Sequence, residues 1–257
     1  MYGPRDLRIK EVTLPEIKED EVLIKLKACG ICGSDVECFE GKSAEGRYDL
    51  GPYTPGHEWA GQVVQIGGKV GSVKVGDKVV GDCVLPCGKC ANCKDGKMPS
   101  ACLNMREVGF RPDSPGGFGE YLILEEKFTH VIPDDWNYEL GAWVETFNVG
   151  YWGVWGNGCD PDASDDCAII GGGPIGLTAA MTCKTSGAHV ILIDPIRAKT
   201  PCITGRTTWS IRPSAMWRKR LRSLQKGAGL LWLSNVPETI SVSPLCSILR
   251  AITAAWV

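Results

Sequence analysis

Apolar and polar positions alternate over residues 21–28, where Val22, Ile24 and Leu26 fall on one side and Lys25 and Lys27 on the other. A period of two is that of a half-buried strand. Shorter runs at 62–66, 78–80, 120–124 and 130–132 predict further strands, with breaks at Gly67-Gly68, Gly76, Gly116-Gly117 and Pro133. Many short strands set off by glycine-rich turns predict a β-barrel or sandwich. The period then lengthens: Leu140, Val144, Phe147, Tyr151 and Val154 recur at helical spacing. After the polar connection 160–166, residues 167–170 predict a buried strand, 174–186 a helix and 189–193 a second strand. Strand, helix, strand is the βαβ unit of a parallel sheet. The chain therefore passes from a β-rich part into an α/β part near residue 150, and the expected fold class is α/β plus β.

Charge changes this picture at one place. Residues 200–257 hold eight basic residues and one acid, Glu238, which leaves 20 basic and 29 acidic residues before them. A body of about −9 thus meets a tail of about +7, and the tail carries four of the nine tryptophans. Two halves of one doubly wound domain should not differ this much. No strand–helix alternation is legible in the tail. The expected division is 1–150, 151–199 and an anomalous basic tail over 200–257, with a shifted reading frame as its origin. The competing reading makes 215–226, with Met216, Trp217, Leu221 and Leu224 among basic residues, an amphipathic helix for a membrane or a partner. The formal net charge of −2 argues neither for nucleic acid nor for an anionic membrane surface, and no partner of either kind is expected. No apolar run approaches a membrane span, and residues 1–10 lack the apolar stretch of a secretory signal. A cytoplasmic location is expected, where 13 cysteines point to metal before disulfides.

Gly171-Gly-Gly173-Pro174-Ile175-Gly176 matches G-x-G-x-x-G between a predicted strand and a predicted helix, and Asp194 ends the next strand. In that context Gly171 makes the tight turn and Gly173 admits a pyrophosphate to the backbone. Gly176 lets helix and strand pack closely, and the helix N-terminus offers free N–H groups. Pro174 suits the first helical turn. Asp194 can accept from both ribose hydroxyls and repels a 2′-phosphate, which favours NAD over NADP, although Arg197 and Lys199 soften the preference. The plain alternative is a glycine turn in an unrelated α/β fold.

Cys87, Cys90, Cys93 and Cys102 supply four thiols within a short segment, the pattern of a closed, structural zinc site. An iron–sulfur motif competes, but it wants its fourth cysteine after three residues and then proline. Here eight residues intervene and Leu103 follows. A second set is scattered: Cys32 with Ser34 and Asp35, His57 with Glu58, and Glu145. Singly these read as a buried thiol, a satisfied core histidine and a solvated helix residue.

In order along the chain stand Gly30-Ile-Cys-Gly-Ser-Asp35, Gly56-His-Glu-x₂-Gly61-x₅-Gly67, the four-cysteine segment and the glycine turn. Over residues 3–199 this series resembles the zinc-containing medium-chain dehydrogenase/reductase family, nearest its sorbitol, threonine and polyol dehydrogenases. The resemblance implies a GroES-like β-barrel catalytic domain followed by a Rossmann doubly wound domain, incomplete here. It implies two Zn²⁺ per chain and NAD. Cys32, His57 and Glu145 match catalytic zinc ligands, and Glu58 a neighbouring acid or exchangeable ligand. Ser34 matches the proton-relay hydroxyl, Asp35 a supporting carboxylate, and the four cysteines the structural lobe. Glu145 is followed by Thr146-Phe147 where relatives have Pro-Leu. The implied activity is reversible oxidation of a secondary alcohol or polyol to a ketone by a homo-oligomer. A zinc-free quinone reductase is disfavoured by the two ligand sets, and a catalytically inactive zinc-binding fragment is the alternative.

Overall fold

The computed structural model describes residues 1–42, 51–156 and 158–194, together with the strands Thr207–Ser210 and Leu230–Leu233. The sequence readings made for Arg197, Lys199 and 215–226 fall outside the described residues. Two compact units divide between Glu145 and Thr146, a little before the expected boundary.

The first unit is built on β1 (Glu21–Cys29), whose alternating pattern buries Val22 and Ile24 completely while Lys25 and Lys27 stay exposed. Next come helix α1 (Gly33–Glu40), β2 (Trp59–Ile66) and β3 (Lys78–Gly81). A short hairpin, β4 (Val84–Leu85) with β5 (Arg106–Glu107), brackets the cysteine lobe and its single-turn helix α2 (Ala91–Lys94). β6 (Tyr121–Glu125) and β7 (Thr129–Val131) complete an antiparallel sheet of order β6-β1-β2-β3-β7. Two register shifts interrupt the pairing of β1 with β2, at Leu23/Ile24 and Leu26/Ala28. The core of the unit is Val22, Ile24, Trp59, Val63, Val79, Leu85, Val108, Leu122 and Leu124 with their neighbours. Each fully buried aliphatic side chain contributes ~1.5–3 kcal/mol.

Helix α3 (Tyr138–Trp155) carries the unit boundary. The second unit continues with β8 (Asp166–Ile170), α4 (Pro174–Thr185) and β9 (His189–Ile193), close to the expected βαβ positions. Val154, Cys167, Ile169, Ala179, Ala180, Cys183, Val190 and Leu192 form its core. β10 (Thr207–Ser210) pairs in parallel with β9, and β11 (Leu230–Leu233) with β8, giving the order β10-β9-β8-β11. Neither strand is predicted from the sequence, where no strand–helix alternation is legible in 200–257. Four residues are too few to display a period, and Leu-Leu-Trp-Leu is an unbroken apolar run that periodicity cannot assign. No helix among the described residues is long and apolar enough to cross a membrane.

Candidate active site and metal centres

Cys32 caps the N-terminus of α1, where helical N–H groups lack internal partners. Ser34 donates to its sulfur from both amide and hydroxyl, while burial outweighs these donors and pushes the thiol pKa up. The Cys32 N–H donates to Asp35 Oδ2 at 2.9 Å, closing a capping box, and Asp35 Oδ1 accepts from Gly56 N at 3.3 Å. One buried carboxylate thereby ties the start of α1 to the loop that carries His57. Asp35 Oδ1 also lies 3.9 Å from His57 Nδ1, and the imidazole stacks on Phe110 with centroids 4.8 Å apart. Gly56 has φ +94°, and a Cβ there would stand 2.6 Å from the Phe118 ring and 2.9 Å from Cys29 Sγ. Backbone conformation and space both reserve that position for glycine.

The outcome is convergence: single ligand atoms of Cys32, His57 and Glu58 all lie within 4.8 Å of one another. Glu145 is not a member of this group. Its carboxyl pKa is raised to about 7, first by burial and then by the charges of Glu58 and Asp35, so it faces the group electrostatically. Cys29, three residues before Cys32, differs from it in setting. Burial, then Asp35 and Glu58, push its thiol up to about 12, and it donates to the Gly30 carbonyl at 3.5 Å. The group fits a divalent cation. Thiolate, imidazole and carboxylate are the donor types of zinc, and several half- or fully buried acids repel one another unless a cation is shared among them.

In the lobe, the sulfurs of Cys87, Cys90, Cys93 and Cys102 also lie within 4.8 Å of one another. Cys90 Sγ is 3.4 Å from Cys93 Sγ and 3.9 Å from Cys102 Sγ. Tetrahedral zinc with ~2.3 Å bonds to sulfur sets neighbouring sulfurs ~3.8 Å apart. Backbone amides point inward: Cys87 N and Asn104 N donate to Cys102 Sγ at 3.2 and 3.4 Å. The amides of Lys89 and Cys90 hold the Cys87 thiol down at about 6, and those of Cys93 and Leu103 lower Cys90. Cys93 is pushed up to about 12, by burial and then by the neighbouring thiols, as expected when several would-be thiolates share one space. Asn92 Nδ2 donates to Ala101 O at 2.6 Å and draws the two ends of the lobe together.

In the second unit Gly171 turns the chain at φ +102°, and Pro174 opens α4 with Gly173 as its cap. Asp194, 3% exposed, accepts from Gly172 N at 2.6 Å. Gly176 is buried between helix and strand. A glycine turn, a helix N-terminus and a buried carboxylate at the end of the adjacent strand together fit a dinucleotide. The sequence did not reveal Phe110 against His57, the capping role of Asp35, or helix α1 itself. Only the Cys32-x-x-Asp35 spacing, a variant of the capping-box pattern, could have signalled the helix.

The profile of the alcohol dehydrogenase GroES-like domain matches residues 18–134. Sorbitol dehydrogenase of Bacillus subtilis (strain 168) is 33% identical over 210 residues, which are 80% of this chain and 58% of that protein. The chain spans a little over half the length of the curated relatives it matches. An oxidoreductase/dehydrogenase of unknown specificity from Escherichia coli superposes with a TM-score of 0.80 at 30% identity, over 91% of this chain and 68% of its own. A Sinorhizobium meliloti 1021 structure named as a zinc-binding dehydrogenase and bound to NADP gives a TM-score of 0.75 at 26% identity, over 98% of this chain and 80% of its own. The matching domain profile, the dehydrogenase relatives at about one-third identity and the shared fold make this chain a member of the zinc-containing medium-chain dehydrogenase/reductase family.

Proposed function

We propose that the chain carries the catalytic site of a zinc-dependent alcohol or polyol dehydrogenase that oxidises a secondary alcohol to a ketone and transfers the hydride to NAD. The observation that carries this reading is the meeting of Cys32, His57 and Glu58, distant in sequence, within 4.8 Å. Cys32, His57 and Glu58 would hold the catalytic ion, with Glu145 in reserve, and Cys87, Cys90, Cys93 and Cys102 a structural one. When bound, zinc supplies Lewis-acid polarisation of the substrate hydroxyl and NAD the hydride acceptor.

The chain's own groups do the rest. Ser34, whose hydroxyl touches the Cys32 sulfur, takes the alcohol proton outward. Asp35 fixes the His57 loop through Gly56 N and sets its Oδ1 3.9 Å from the imidazole Nδ1. Gly171 turns the chain, Gly173 and Ile175 offer backbone N–H groups to the pyrophosphate, Pro174 opens α4 at a position that needs no donor, and Gly176 lets the helix pack closely. Asp194 accepts from the ribose hydroxyls, which favours NAD; the NADP in the Sinorhizobium relative makes this preference a matter for measurement. The order β10-β9-β8-β11 follows the first four positions of a doubly wound sheet, so the second unit reads as an incomplete dinucleotide domain. A cytoplasmic, homo-oligomeric enzyme goes with this reading.

Zinc analysis with initial rates of NAD reduction over a panel of polyols tests it. Two ions per chain and a polyol-dependent rate that Cys32→Ala abolishes are expected. A rate untouched by Cys32→Ala and His57→Ala overturns the assignment. Because the chain spans little more than half of its curated relatives, two ions without turnover would select the inactive zinc-binding fragment instead.

A further inference from the structure

The family resemblance ranks Glu145 above Glu58 as a ligand, whereas Glu58 is the carboxylate that meets Cys32 and His57. The Gly30 N–H donates to the Glu58 carbonyl at 2.7 Å, which holds the end of β1 against the start of β2. A Cβ on Gly30 would stand 2.2 Å from Glu58 Oε2, 3.1 Å from Glu58 Cβ and 3.3 Å from Glu58 Cδ. All of its nearest would-be neighbours belong to one side chain. Gly30 is also not among the glycines at positive φ, so alanine meets no backbone strain there. What the position requires is empty space.

We infer that Gly30 is a positioning residue for Glu58: by carrying no side chain it leaves the opening through which the Glu58 carboxylate joins Cys32 and His57. The inference rests on the reading of those three residues as a metal site and deepens it by naming what seats the Glu58 carboxylate. Because Oε2 is the far end of a rotatable side chain, a methyl group at Gly30 displaces the carboxylate and leaves the backbone hydrogen bond intact. Gly30→Ala should therefore behave as a partial removal of Glu58 within an unchanged fold.

The test uses the full 257-residue chain, with zinc counted by elemental analysis, its affinity measured by competition with a chromogenic chelator, and the visible bands of cobalt read after substitution at the same site. The wild type should hold two ions. Gly30→Ala should weaken the second by about 10- to 100-fold, alter the cobalt bands, and leave the four-cysteine ion in place. Glu58→Ala should do the same, and the double variant should bind no worse than Glu58→Ala alone, because the two changes act on one group. Unchanged affinity and bands in Gly30→Ala, or losses that multiply in the double variant, overturn the inference while the metal reading stands. A wild type that holds the lobe ion alone overturns both. Should Gly30→Ala fail to fold by circular dichroism, recovery of the fold in the double variant upholds the role, and continued failure removes it.

Discussion

The two clusters of the first unit reach similar compactness by opposite means. In the lobe, four thiols within one short segment are gathered by that segment's own amides and by a single turn of helix. At the Cys32–His57–Glu58 group, the donors come from the cap of α1 and the loop before β2, and the sheet brings them together. The local cluster is a property of spacing. The distributed one is a property of the fold. Damage to the sheet should therefore reach the second and spare the first, and damage to the lobe the reverse.

The largest expected break in this contrast is His57→Ala, which should bring polyol-dependent NAD reduction to background and remove one ion, with the lobe ion retained on elemental analysis. Cys90→Ser should do the converse to metal content. It should also expose residues 87–102 to proteolysis, because binding free energy at a closed thiolate site is folding free energy for the segment around it. Equal protease resistance with one ion missing would show that the lobe stands without its metal. Gly56→Ala combines left-handed backbone with contacts to Phe118 and Cys29 and should destabilise the first unit by about 2–4 kcal/mol in urea. A loss below about 1 kcal/mol would mean that the loop relaxes freely and that Gly56 does not hold His57.

The smallest effect is a pH dependence. Glu145 is raised from 4.5 to about 7, chiefly by burial. In metal-free protein the folded carboxyl therefore keeps its proton to higher pH than the unfolded one. Stability should fall as pH rises from about 4.5 to about 7, by on the order of 1–3 kcal/mol. Urea titrations of chelator-treated wild type and Glu145→Gln at the two ends of that window should show the slope in the first and a flatter profile in the second. Parallel profiles would place Glu145 outside the charged group.

What the sequence discloses tracks the same division. Strand alternation in β1, the helical period of α3 and the glycine turn before α4 each leave a periodic or compositional trace, and all lie within a few residues of their expected positions. So does the lobe, whose spacing is its geometry. Helix α1 has only eight residues and exposes Val36 and Phe39, so it shows no amphipathic period to read. β10 and β11 are invisible for the same reason of length. The difference between Cys29 and Cys32 is likewise absent from the letters: it comes from a helix cap and two donors from Ser34, which only folding supplies. Nor could spacing seat Glu58 beside Cys32 and His57, because that seat is steric and depends on a neighbour brought close by strand pairing.

The Asp35 carboxylate, bonded to the amides of Cys32 and Gly56, works as a clasp closing a chain segment between two ligands. The backbone at Cys32 and at Gly56, next to His57, is thus held by two hydrogen bonds to one side chain and not by the chain between them alone. Loss of that one carboxylate would therefore let sulfur and imidazole drift apart without either ligand having been changed.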